Sequence, residues 1–178
     1  MREYIKNIKY LRIISIIFVL VWMFVIFNFS ASNANESSSM SGNVVDLFYK
    51  IIELFTGKNL QVSLSYEHLS TVHFLFRKLA HMFIYFVLSI SVMTTLFTFP
   101  LKLYTRSLLS MLICFLYACS DEFHQLFVSG RGAAFTDVLV DSVGALLGVL
   151  FSLVLYCIVY TLFFKYYHRT HKMELPKR

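Results

Sequence analysis

The sequence predicts an all-α membrane protein: a bundle of four transmembrane helices with a short extracytoplasmic amphipathic helix, forming a single domain over residues 1–178. Three observations carry that prediction. The chain is 58% hydrophobic and 15% charged, where a soluble domain carries roughly 25% charged residues. Its apolar residues fall into four long runs that reach, with their flanks, the roughly 20 residues a spanning helix needs. Glycine (6) and proline (2) are scarce, which suits long helices and short connections. A soluble enzyme is excluded by this composition, and no nucleic-acid partner is expected.

The first span is expected at about residues 11–29. Ile13 to Phe29 is free of charge and follows the basic residues Arg2, Lys6, Lys9 and Arg12. Ser32-Asn33-Ala34 resembles a weak signal-peptidase site. The apolar run exceeds the usual core of about 7–15 residues in a signal peptide, so a retained helix is expected. A Ser/Asn-rich loop follows, from Ser30 to Ser41. Val44, Phe48, Ile51 and Phe55 then recur at helical spacing opposite Asp46, Lys50 and Glu53. That pattern is a short amphipathic helix lying in the interface, with Gly57 as its stop. Lys58 to Thr71 is expected to be irregular.

The second span is placed at about 76–99, ended by Pro100, and the third at about 104–125. The third must run through Asp121 to be long enough, so the stretch Ser120-Asp121-Glu122-Phe123-His124-Gln125 lies inside the bilayer's edge rather than clear of it. The connection Val128 to Thr136 is short, which makes spans three and four an antiparallel hairpin. The fourth span is placed at about 137–164, followed by a basic tail.

Four spans put both termini on one side. That side holds eleven basic residues against Glu3 and Glu174, and the other side holds five against eight acids. The positive-inside rule therefore places both termini in the cytoplasm. The three cysteines, Cys114, Cys119 and Cys157, lie in apolar runs and form neither a disulfide framework nor a CxxC pair.

This topology gathers ionisable residues at the outer face. Arg77, Lys78 and His81 open the second span, with Tyr85 on the same helical face as Lys78 and His81. Asp121, Glu122, His124 and Gln125 close the third; Asp121, His124 and Gln125 share a face, and Glu122 points about 100° from Asp121. Arg131 lies in the following loop, and Asp137 and Asp141 open the fourth span on one stripe with Gly144, Ala145 and Gly148. Gly144-xxx-Gly148 is a small-xxx-small pattern that permits close helix approach. Charged groups within a bilayer cost roughly 2.5–3.5 kcal/mol each at its centre and mark sites or pair with one another.

Two chemistries suit the cluster. Asp121, Glu122, His124 and His81 are the candidate catalytic groups, able to exchange protons. Their atoms also suit Zn²⁺ or Mn²⁺, but no HExxH-type motif is present, so no metal ligands are assigned and the cofactor is left open. Arg77, Lys78 and Arg131, with the Gly130-Arg131-Gly132 turn, suit an anionic headgroup. Tyr85, Gln125, Asp137 and Asp141 complete the candidate substrate-binding set. The plain structural alternative is a polar knot that fixes helix register.

Arg77-Lys78-x-x-His81 with Tyr85, then Asp121-Glu122-x-His124-Gln125-x-Phe127, then Gly130-Arg131, Asp137 and Gly144-xxx-Gly148, resembles the VanZ-like family of small membrane proteins. Phe29-Ser30 and the Ser-rich stretch after it resemble that family too, so the likeness runs from about Phe29 to Gly148. Asp141 departs from the family pattern, where Asn is expected. The resemblance implies a role in the bacterial cell envelope, at the plasma membrane, linked to resistance to the glycopeptide teicoplanin. The expected partners are membrane lipids or a lipid-linked envelope precursor, and a second copy of the chain. Two functional readings stand side by side: an enzyme or binder acting on such a lipid, and a non-catalytic lipid-binding, antibiotic-binding or scaffold protein. A transporter is the third, although four spans are few for one.

Overall fold

A computed structural model describes residues 2–31, 42, 47, 48, 50, 51, 53–55, 57, 66–128 and 132–172, with side chains left undescribed at 2–6, 66–70, 73 and 164–172. Four long helices dominate it: α1 (Arg2–Ala31), α2 (Tyr66–Phe97), α3 (Leu103–Gln125) and α4 (Phe135–Lys172). Each contains a stretch long and apolar enough to cross a membrane: Asn7–Ala31, Phe74–Phe97, Leu103–Gln125 and Phe135–Phe163. At about 1.5 Å per residue, stretches of this length exceed the roughly 30 Å of a hydrocarbon core. No strand occurs among the described residues.

The helices outrun the predicted spans at two places. α2 begins at Tyr66, so the last part of the expected irregular connection is helical, and α4 continues through the start of the basic tail to Lys172. Neither extension contains a Gly or Pro, and leaving the bilayer does not by itself end a helix. By contrast, α2 stops where Pro100 approaches, since the residue before proline is driven out of the helical region. Between α1 and α2, the described residues from 47 to 55 are helical. Gly57 takes φ 66° and donates its N–H to the Glu53 carbonyl at 2.8 Å, the left-handed cap that glycine permits. The Phe48 ring packs 5.2 Å from that of Phe76, which ties this segment to α2. The remainder of the amphipathic stretch, the Ser/Asn-rich loop after Ala31 and residues 58–65 lie outside the described residues.

Polar contacts fix the up-and-down order of the bundle. Near one end, Arg12 of α1 donates to the Thr98 carbonyl just past α2 (2.7 Å) and lies over the Phe99 ring. Midway, the Trp22 indole N–H donates to the Ile84 carbonyl at 2.9 Å, and the Tyr117 hydroxyl donates to the Met23 carbonyl at 2.5 Å. Near the other end, the Gln125 amide donates to the Ser30 hydroxyl at 2.9 Å. Such bonds between helices are worth about 1–2 kcal/mol where no water competes. The most extensive interface is between α2 and α4. There, a Cβ built on Gly144 would strike the Met82 carbonyl, and one built on Gly148 would strike the Ser89 hydroxyl and the Phe86 carbonyl. Only glycine allows this approach, as the small-xxx-small spacing predicts.

The core is therefore narrow: Ile26, Tyr85, Leu88, Val92, Cys114, Ala118, Val138 and Ala145. Large apolar side chains such as Phe24, Leu108, Phe123 and Val154 point outward, as befits helices bathed in lipid rather than water.

Candidate functional site

The antiparallel order brings the start of α2, the end of α3 and the start of α4 together, at the end of the bundle opposite the chain termini. Counting along each helix at about 1.5 Å per residue, His81, Asp121 and Asp141 lie roughly 6–10 Å inside the ends of their apolar stretches. Asp121, Glu122 and Asp141 are all buried, and Asp141 is fully so.

At the centre, His81, Asp121 and Asp141 each offer one ligand-type atom, and these atoms all lie within 4.8 Å of one another. His81 Nδ1 stands 3.9 Å from Asp141 Oδ1. Neither oxygen of Asp141 has a hydrogen-bond partner among the described residues. Tyr85, one turn along α2 from His81, is fully buried, and its hydroxyl also lacks a partner among the described residues. Its neighbours include both Asp121 and Asp141.

Three further contacts ring the centre. Lys78 forms an ion pair with Asp137, with side chains 20% and 30% exposed, so this pair sits at the rim. Asp137 also lies in the first turn of α4, where a negative charge complements the helix dipole. Glu122 turns toward α4: its Oε2 accepts the Ala134 N–H at 2.9 Å, capping the residue just before that helix. Arg77 is half-buried, with its guanidinium 5.8 Å from the Phe74 ring centre. His124 and Gln125 face α1 instead. The imidazole packs 4.3 Å from the Phe27 ring, and the amide holds Ser30.

The structure thus draws the candidate residues into three groups. His81, Asp121, Asp141 and Tyr85 form the buried centre; Lys78, Asp137 and Glu122 surround the start of α4; His124 and Gln125 brace α1. Gly130 and Arg131, proposed from the sequence as part of the anion-binding set, lie outside the described residues. Two participants have no site role in the sequence, where Ser30 enters through the family likeness. Ser30 receives the Gln125 amide, and Tyr117, one turn before Asp121 on α3, anchors to α1. A hydroxyl four residues from a buried carboxylate is a readable signal for Tyr117; nothing local marked Ser30 as its partner's acceptor.

Taken together, fold and site define a multi-pass membrane protein with a polar cluster built from three helices inside one edge of the bilayer. The VanZ/LLP1 family model matches residues 15–160, most of the chain, and the protein belongs to that family. No curated protein and no solved structure matches it.

Proposed function

We propose that this protein sits in the bacterial plasma membrane with both termini in the cytoplasm. Its site would face outward, binding and modifying an anionic envelope lipid or lipid-linked precursor and thereby contributing to teicoplanin resistance. The observation that carries this reading is the layering of the site. A partly exposed cation, Lys78, stands at the rim, and an imidazole and carboxylates lie deeper within the apolar stretches. A lipid held by its tails alongside the bundle would bring its headgroup to this depth. Arg77 and Lys78 would attract the headgroup's charge, and His81 and Asp121 would move protons.

A second reading has its own support. Lys78, Glu122 and Gln125 all bond within the protein, as members of a purely structural knot would. Conservative variants separate the two. His81→Asn and Asp121→Asn change charge and proton chemistry while keeping size. In cells expressing each variant at the wild-type level, loss of teicoplanin resistance together with a changed profile of lipid-linked precursors supports the enzyme. Wild-type resistance and profile in both variants sink it. Orientation is tested with a cysteine placed at Gly132, in a chain whose own cysteines are replaced. It should react with a membrane-impermeant thiol reagent applied to intact cells, and failure to react overturns the outward-facing site.

A further inference from the structure

We infer that His81, Asp121 and Asp141 form a binding site for a single divalent transition-metal ion, Zn²⁺ or Mn²⁺. The geometry is the first argument. Three atoms no more than 4.8 Å apart define a central point at most about 2.8 Å from each, since 4.8 Å divided by √3 sets the limit. Zinc bonds to imidazole nitrogen and carboxylate oxygen are about 2.0–2.2 Å. Side-chain adjustments of at most about 0.6–0.8 Å at each ligand therefore close the site without moving a helix.

The second argument is charge. Asp141 is fully buried, and neither of its oxygens accepts a hydrogen bond among the described residues. The groups around it are Asp121, Glu122, Asp137 and Lys78, with His81 Nδ1 at 3.9 Å. Lys78 already pairs with Asp137. Among the described residues, Asp141 thus has one imidazole beside it and the carboxylates of Asp121 and Glu122 close by. Taking a carboxylate such as that of Asp141 out of water costs several kcal/mol unless a partner offsets it, and a second carboxylate beside it adds repulsion. A doubly charged cation offsets both at once.

The third argument is donor type and access. One nitrogen and two oxygens suit Zn²⁺ or Mn²⁺, whereas Mg²⁺ takes oxygen ligands and holds its waters. His81 is 21% exposed at its side chain, against 1% for Asp141, so the imidazole marks the open side of the site. Among the described residues three protein ligands converge, which leaves positions for an outside ligand, the arrangement typical of reactive rather than structural sites. No sequence motif signals this trio because its members come from three helices. The inference stands on this geometry and does not depend on the lipid reading, although a bound cation would also let an acid-rich cluster accept an anionic headgroup.

The test uses the purified full chain in detergent micelles, stripped with chelator and dialysed against Zn²⁺, Mn²⁺ or Mg²⁺. Metal analysis should find one equivalent of Zn²⁺ or Mn²⁺ retained, and no Mg²⁺. His81→Asn and Asp141→Asn should each weaken binding tenfold or more, while Ser142→Ala, one residue along α4, should bind as the wild type does. Circular dichroism confirms that each variant is folded. Should both ligand variants fail to fold, the wild type alone decides through Co²⁺. A visible absorption band that Zn²⁺ abolishes supports nitrogen and oxygen ligation inside the protein. No retained ion and no such band overturn the site and leave a carboxyl pair sharing a proton. Retention that is equal in wild type and Asp141→Asn overturns it as well.

Discussion

Replacing Gly144 with alanine adds a methyl group where α2 and α4 touch. The structure sets the size of the effect. The added Cβ would meet the Met82 carbonyl and lie 2.8 Å from its carbon and 3.0 Å from Cα. All three nearest atoms are backbone, so no rotamer change relieves the overlap, and the two helices must part. Overpacking of this kind costs about 1–3 kcal/mol. Because every obstacle is backbone, the cost falls at the upper end of that range; alanine's better helix propensity returns about 0.8–1 kcal/mol, so Gly144→Ala should destabilise by about 2 kcal/mol. At Gly148 the nearest obstacle is the Ser89 hydroxyl, with the Phe86 carbonyl behind it. Ser89→Ala should therefore recover part of the stability lost in Gly148→Ala, and none of that lost in Gly144→Ala. The assay is reversible unfolding in mixed micelles followed by fluorescence of Trp22, the single tryptophan, which bonds across the α1–α2 interface. A Gly144→Ala protein as stable as the wild type, or more so, refutes the close approach and the register that follows from it.

Three other perturbations read different layers of the same end. Gln125→Leu removes the buried bond to Ser30 and strands that hydroxyl, and should lower unfolding stability by about 1–2 kcal/mol. Glu122→Gln keeps an oxygen for the Ala134 N–H, so it should cost less than half as much stability as Glu122→Ala, which loses a cap worth about 0.5–2 kcal/mol. Lys78→Met leaves Asp137 without its cation at a partly exposed site and should destabilise by about 1–2 kcal/mol. Adding Asp137→Asn should restore most of that loss, as a double-mutant cycle on the same unfolding assay will read.

Much of this was legible before the structure, because a bilayer imposes simple rules. Charge-free runs of the right length gave the spans, Gly144-xxx-Gly148 gave the close packing, and the cost of a buried carboxylate singled out Asp121. What escaped the sequence was direction. A helical wheel fixes that Glu122 points about 100° from Asp121, but not that both directions are interior. One meets His81 and Asp141; the other meets the start of α4. Likewise Asp121 and Gln125 lie on one stripe of α3, yet the stripe passes from α2 and α4 to α1 within a turn, so Gln125 reaches Ser30 instead of the centre. One boundary differs: Tyr66 to Thr71 reads as irregular because it is polar, yet no glycine or proline interrupts it and α2 has already begun there.

The site and the packing turn out to be one construction. Asp137, Asp141, Gly144 and Gly148 recur at spacings of four, three and four along α4, which places them on a single stripe. That stripe faces α2 throughout: Asp137 meets Lys78, Asp141 meets His81, Gly144 meets Met82, and Gly148 meets Phe86 and Ser89. The glycines let the two backbones come together, and the same closeness carries the Asp141 carboxylate into a fully buried position beside the imidazole. Ser110 of α3 donates to the Ser89 carbonyl at 3.3 Å, which holds α3 against the same face and delivers Asp121 a few turns away. A carboxylate on a more loosely packed helix would reach water and lose any perturbing neighbour. Here the small residues create the burial that makes Asp141 costly, and that cost is what makes the trio with His81 and Asp121 a candidate site rather than a surface.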